Sequence, residues 1–318
     1  MNIRVIGCGN AFSNKNFNQC FMLSNERNDA GQRRMLIDCG YQTGAALYKA
    51  GVDLKSITDV YVSHQHADHI GFLEGLAFQR YDWAKRPQST KESGIFIDTK
   101  TDKAARLPHN QCAENSYAPN LIANSKLMDD LWEHSLKGGL QSIEGVDCTL
   151  DTFFYTVPIE SNDTFDWAGW NCKIIQQIHI MTGSMISNTF GLFMTRASDG
   201  YKVYFTTDSQ HCSPRQMEVF YAQADLIIQD CECIGVDTVK RESKFMSGVH
   251  ANYAQLAGWE SANSVKLPKK IKAKMYLSHY QDFVSEGKDG FGQDCDWAAM
   301  ALADGFKGFV KVGQEITI

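Results

Sequence analysis

Short apolar runs, each closed by glycine or a polar cluster, alternate along this chain with stretches whose apolar residues recur at helical spacing. Runs of three to eight apolar residues between turn signals read as buried strands, because a strand covered on both faces has no need to alternate. They fall at Ile3–Gly9, as an opening strand and turn, and at Cys20–Leu23, Met35–Gly40, Val60–Val62, Cys172–Ile178, Val203–Phe205, Leu226–Ile228 and Lys274–Ser278. Helices are predicted over about 42–50, ending at Gly51, over 70–83, over 125–137, ending at Gly138-Gly139, and over 214–223, 253–262 and 295–304. The helix at 214 carries strong start chemistry, with Ser213 as N-cap, Pro214 at the first helical position and Gln216 completing a capping box. Strands and helices in this alternation predict a layered α/β protein.

One segment breaks the pattern. From about 85 to 125 the chain is rich in Asn, Ser, Thr, Lys and Pro around a short apolar run, Ile95–Ile97, and reads as a surface insertion, either a lid or a dimer contact. The remainder suits a single domain over 1–318, long enough to bury a large core. A net charge of -6, without runs of like charge, argues against a broad nucleic-acid-binding surface. The first residues enter a strand instead of a signal-peptide core, no stretch approaches the ~18 apolar residues of a membrane span, and the ten scattered cysteines suit free thiols in a reducing compartment. A cytoplasmic location is expected.

The chemistry is concentrated in His64-Gln65-His66-Ala67-Asp68-His69, which sets four potential metal ligands into six residues straight after the run Val60–Val62. With nine histidines in 318 residues, composition alone gives this spacing in roughly one chain in a few thousand. Imidazole and carboxylate are the donors zinc takes when no thiolate is used, and a strand feeding a tight loop can aim alternate side chains at two adjacent ions. The expected split is His64 and His66 on one ion, Asp68 and His69 on the other. Further donors stand after later strands: His179 at the end of Cys172–Ile178, Asp208 after Val203–Phe205 in position to bridge, and His279 after Lys274–Ser278.

Taken together, the motif, the later donors and the opening strands resemble the metallo-β-lactamase fold superfamily of metal-dependent hydrolases. The resemblance implies a four-layer αββα sandwich, two zinc ions, or manganese or iron in their place, and the ligand set His64, His66, Asp68, His69, His179, Asp208 and His279. Asp208 separates the chain from the true β-lactamases, which generally carry Cys or Ser at that point. His250, in Gly248-Val249-His250-Ala251-Asn252, resembles the histidine that in tRNase Z and its relatives faces the phosphate, although Ala251-Asn252 stands where those enzymes usually have Ser-Thr.

The function implied is a phosphodiesterase. A metal-bridging hydroxide would attack the phosphorus, and His250 would act as general acid for the departing alkoxide, with Asp68 and Asp208 as the other candidate catalytic residues. The substrate is expected to be a small cyclic nucleotide or an RNA end. The acidic balance and a stretch at 181–188 too short for a tRNA-holding arm favour the small molecule, as in class II cyclic-nucleotide phosphodiesterases and the phage enzymes that destroy immune cyclic nucleotides. A carboxyl-ester, lactone or thioester hydrolase of the same superfamily is the alternative, and a metal-binding scaffold without catalysis is the third reading. Relatives are often dimers, so a homodimer is within the expected range. His211 is weighed as a contact behind the metal ligands. His109 and His134 read as surface or packing residues, and Cys231-Glu232-Cys233 as a strand end.

Overall fold

The computed structural model describes all residues except 26–31, 82–117, 144–145, 162, 246–247 and 263. The chain separates into two compact units, one of Met1–Arg4, Phe21–Pro158 and Glu315–Ile318, the other of Val5–Cys20 and Ile159–Gln314.

A seven-stranded sheet, mostly in the first unit, runs in the order Glu315–Thr317, Asn2–Gly7, Cys20–Ser24, Arg34–Ile37, Asp59–Tyr61, Asn120–Asn124, Tyr155–Ile159. Arg34–Ile37, Asp59–Tyr61 and Asn120–Asn124 pair in parallel. All three residues of Asp59–Tyr61 and all five of Asn120–Asn124 are buried, which explains the apolar run within each. Asp59, at the start of its strand, is matched by Arg33 and by Asn120 Nδ2 at 2.8 Å, so its buried charge is paired.

The second sheet lies in the second unit, in the order Gly308–Phe309, Met275–Ser278, Leu226–Asp230, Lys202–Phe205, Met185–Arg196, Trp170–Thr182, Thr164–Trp167. Its first four strands are parallel and its last three antiparallel. Val203, Tyr204, Ile227, Met275 and Leu277 are fully buried in it, and each such side chain stabilises the fold by about 1.5–3 kcal/mol. Neighbouring parallel strands end side by side, about 4.8 Å apart. The residues just beyond their carboxyl ends are therefore gathered into one place, where open α/β sheets hold their ligands.

Several predicted elements change in detail. The helix expected over 70–83 is two, Ala67–Ile70 and Leu73–Arg80, broken at Gly71-Phe72. The helix expected to stop at Gly138-Gly139 continues to Leu140, with a wider turn over Trp132–Leu136. Gly139 serves packing: a Cβ there would meet the Glu74 carboxylate, whereas Gly138 faces open space. The helix expected over 253–262 ends at Ala257, because Gly258 (φ +77°) closes it, and a short turn over Glu260–Ala262 follows. The predicted insertion at about 85–125 falls largely outside the described residues, but its last part is the buried strand Asn120–Asn124, which the polar residues at both ends had disguised. No helix among the described residues is long and apolar enough to cross a membrane.

Candidate metal centre

The first unit carries the H-x-H-x-D-H motif on the loop and short helix that follow Asp59–Tyr61. Val62 N–H still donates to Ile122 C=O at 2.9 Å, after which Ser63–His66 leave the sheet and Ala67–Ile70 turn as a helix with His66 at its N-cap. His64, Asp68 and His69 are buried and His66 is half-buried. One residue holds this loop from below. Asp38, at φ +64° just past Arg34–Ile37, accepts from Ser63 N–H at 2.8 Å and Ser63 Oγ at 2.9 Å, and its Oδ2 meets His69 Nδ1 at 2.8 Å. A non-glycine residue in that conformation costs roughly 1–3 kcal/mol, and such outliers persist where surrounding contacts enforce them.

These contacts fix which ring nitrogens face inward. A carboxylate can only accept, so His69 Nδ1 donates to Asp38 and turns the lone pair of Nε2 towards Asp68 Oδ2, 3.3 Å away. His64 has Ser63 Oγ at 3.0 Å from Nδ1, and its Nε2 stands 3.0 Å from His66 Nδ1. A proton shared as a hydrogen bond, or a cation held by both, satisfies two ring nitrogens at that spacing. Donors around a tetrahedral ion bound at about 2.0–2.1 Å stand about 3.3 Å apart. His64 thus stands against His66, and Asp68 against His69.

The second unit gathers the remaining donors. Asp208, Asp230 and His279 stand at or just beyond the carboxyl ends of the adjacent parallel strands Lys202–Phe205, Leu226–Asp230 and Met275–Ser278. His279, at φ +63°, is pinned by its N–H to Cys8 C=O at 2.8 Å. His179 is not at a strand end. Its strand runs on from Trp170 to Thr182, and the register against Met185–Arg196 shifts between Ile178 and Ile180, which makes His179 the extra residue of a β-bulge. A bulge re-aims one side chain while the ladder continues on either side. His179 Nδ1 donates to Val249 C=O at 3.2 Å, so the lone pair of Nε2 faces Asp208 Oδ2 at 3.8 Å. The other oxygen, Asp208 Oδ1, lies 3.2 Å from His279 Nε2. One buried carboxylate thus addresses two imidazoles with its two oxygens, the arrangement of a bridging ligand.

Asp230 and His250 complete this cluster, and ligand-capable atoms of Asp208, Asp230, His250 and His279 lie within 4.8 Å of one another. Asp230 Oδ2 meets His250 Nδ1 at 2.8 Å and accepts from Ser209 N–H at 2.8 Å, while Oδ1 stands 3.4 Å from His279 Nδ1. Burial alone would raise the Asp230 pKa, but the charges and hydrogen bonds of His250 and His279 hold it below the ordinary carboxylate value. Burial likewise pulls His250 down, and Asp230 outweighs it, so the imidazole titrates above its ordinary value. The His250 side chain keeps 17% of its surface exposed, and its ring packs 5.1 Å from that of His179 and 4.8 Å from that of His279.

Donor chemistry and spacing in both units therefore suit divalent cations bound through neutral imidazole and carboxylate. Asp38, Ser63 and Asp230 escaped the sequence reading. Their only signal is a polar residue closing or following a buried strand, the signal that had singled out Asp208. His211, weighed as a contact behind the ligands, instead has Nε2 2.7 Å from Val265 C=O, and burial keeps its pKa low. Tyr280 is a core residue whose hydroxyl donates to Val310 C=O. Cys231 and Cys233 are buried strand-end thiols, every described cysteine is free, and His134 is exposed. His109 lies outside the described residues.

Comparison with known proteins follows the same lines. The sequence matches the family described as Anti-Pycsar protein Apyc1 over residues 1–102 and 107–315. The Anti-Pycsar protein Apyc1 of Bacillus phage vB_BveM-Goe7 is 25% identical over 296 residues, covering 91% of this chain and 93% of that protein. That of Paenibacillus harenae is 26% identical over 289 residues, covering 90% and 92%. Among solved structures, the metallo-β-lactamase fold protein YhfI from Bacillus subtilis aligns with a TM-score of 0.60 at 14% identity, covering 99% of this chain and 98% of that one. Human tRNase Z, short form, aligns at 0.58 and 15%, covering 100% and 99%. With its two large mixed sheets and their helices, this chain has the metallo-β-lactamase fold expected from the sequence.

Proposed function

The chain belongs to the Anti-Pycsar protein Apyc1 family, and on that footing we propose that it is a dinuclear metal-dependent phosphodiesterase, a single hydrolase domain over 1–318, whose substrate is a small cyclic nucleotide. The proposed ligands are His64, His66, Asp68, His69, His179, Asp208 and His279, and the proposed ions are two zincs in a cytoplasmic protein. The observation that carries this reading is Asp208, whose two carboxylate oxygens address His179 and His279 separately. Bound there, the ions would supply a hydroxide nucleophile near neutral pH and neutralise the phosphoryl oxygens.

The chain's own residues have three tasks. Asp38 and the Val249 carbonyl take the Nδ1 hydrogens of His69 and His179, which turns both Nε2 lone pairs inward before any ion arrives. Asp208 bridges. His250 serves the leaving group: Asp230 occupies its Nδ1, so Nε2 is the nitrogen that gives a proton to the departing ribose oxygen as the phosphorus–oxygen ester bond breaks and the bond to the nucleophile forms. The Asp230 charge raises the pKa of that imidazole above its ordinary value in spite of its burial.

Metal-loaded protein incubated with 3′,5′-cyclic pyrimidine and purine nucleotides, with products resolved by chromatography, tests the reading. Ring opening to a nucleoside monophosphate is expected, and it should disappear in Asp208→Ala. Turnover of lactones or thioesters with no phosphodiester cleavage would replace it with the carboxyl-ester alternative, and cleavage of RNA ends alone would move the substrate to nucleic acid.

A further inference from the structure

The loop that bears His250 has no secondary structure of its own between Gly248, at φ +69°, and the helix at Tyr253. Its position is nonetheless fixed by the dipeptide that follows the bridging carboxylate. Ser209 C=O accepts from Ala251 N–H at 2.8 Å. Gln210 N–H donates to Ile178 C=O at 3.1 Å, and its side-chain amide Nε2 donates both to His179 C=O at 3.1 Å and to Gly248 C=O. A single half-buried amide therefore ties the bulge that presents His179 to the loop that presents His250. His179 Nδ1 reaches the same loop at Val249 C=O.

We infer that Gln210 is a positioning residue for leaving-group protonation: it fixes the backbone at Gly248–Ala251 so that His250 stands where its proton is needed. The two Nε2 hydrogens of a primary amide match two carbonyl acceptors, and no other single uncharged side chain of that reach offers two donors. The inference rests on the general-acid reading of His250 and names a residue that touches neither substrate nor ion. General-acid catalysis contributes about 10²–10⁴-fold, and misplacement of a catalytic group by 1 Å costs on the order of 10²-fold. Loss of the brace should therefore cost between tenfold and hundredfold where the acid is needed and little where it is not.

The test compares wild type, His250→Ala, Gln210→Met and Gln210→Lys in the full-length, metal-loaded protein. Methionine keeps the length and removes both donors, whereas a lysine ammonium can donate to both carbonyls. Three quantities are read: kcat and KM on a 3′,5′-cyclic nucleotide, whose ribose oxygen needs a proton, and on bis(p-nitrophenyl) phosphate, whose nitrophenolate leaves unaided; metal bound per chain; and amide hydrogen exchange over 248–251. Gln210→Met should lower kcat on the cyclic nucleotide by tenfold or more at unchanged KM, spare the nitrophenyl ester within about threefold, leave metal content unchanged and speed exchange over 248–251. Gln210→Lys should recover most of the loss. Equal losses on both substrates together with lost metal would overturn the inference, because Gln210 would then act through His179. Unaltered kinetics and exchange in Gln210→Met would overturn it as well. Should wild type cleave the nitrophenyl ester but no cyclic nucleotide, the substrate proposed above fails, and exchange over 248–251 still decides whether the brace exists.

Discussion

Replacing Asp230 with Asn removes the charge behind His250 with little change of shape. Asn keeps an acceptor for Ser209 N–H, 2.8 Å from the present carboxylate, and fills the same buried volume. What it removes is a negative charge 2.8 Å from His250 Nδ1 and 3.4 Å from His279 Nδ1. At an effective dielectric near 20, unit charges about 4 Å apart attract by about 4 kcal/mol, and each 1.4 kcal/mol is tenfold in an equilibrium. That attraction outweighs the burial that disfavours the imidazolium. Without it burial weighs against the imidazolium, the His250 pKa falls, and the loss is limited by the whole worth of the acid, about 10²–10⁴-fold. Asp230→Asn should therefore reduce kcat on a cyclic nucleotide by about 10²-fold or more and reduce it far less on bis(p-nitrophenyl) phosphate. Because both residues act in one step, Asp230→Asn combined with His250→Ala should be no slower than His250→Ala alone. Steady-state kinetics on the two substrates decide the matter. Equal losses on both esters, or a double variant slowed by the product of the single effects, would refute the role given to the pair.

Asp38→Asn should weaken metal binding by about 10–100-fold, because the partner that orients His69 loses its charge while the ligands remain; titration calorimetry with zinc reads this, and unchanged affinity would contradict it. Asp282 anchors the loop after the first strand by accepting from Ser13 Oγ and the N–H groups of Asn14 and Lys15, contacts that overcome its burial and hold its pKa below the ordinary value. A depressed folded pKa gives stability that is complete above the unfolded value near 4 and is lost as pH falls through the folded one. Wild type should thus lose more stability than Asp282→Asn between about pH 5 and pH 2, read as urea midpoints. Gly7→Ala should destabilise the chain by about 1–3 kcal/mol, since a Cβ there would overlap the Asn18 carbonyl; a denaturation midpoint within error of wild type would show that the backbone yields.

Part of the candidate site was legible because the motif is local: His64, His66, Asp68 and His69 owe their spacing to one loop, which keeps them together in the structure. Asp208 and His279 were legible because each follows an apolar run. Asp38 and Asp230 follow such runs equally closely, yet a lone aspartate at a strand end carries no spacing to distinguish it, and only the hydrogen bonds to Ser63, His69, Ser209 and His250 give it a role. The bulge at His179 left no mark either, because Ile180 and Met181 continue the apolar pattern past it and one extra residue changes direction without changing composition. Helix limits failed where glycine had two meanings. Gly258 closes its helix with a positive φ, whereas Gly139 lies inside one because Glu74 crosses over it.

The measurement that bears most directly on the central claim is hydrolysis of a 3′,5′-cyclic nucleotide by protein of known metal content, wild type beside Asp208→Ala. The account predicts two ions per wild-type chain with a nucleoside monophosphate as product, and loss of both bound metal and activity in the variant. A wild type that turns over cyclic nucleotides with no bound metal, or an Asp208→Ala protein that keeps its ions and its rate, would contradict it.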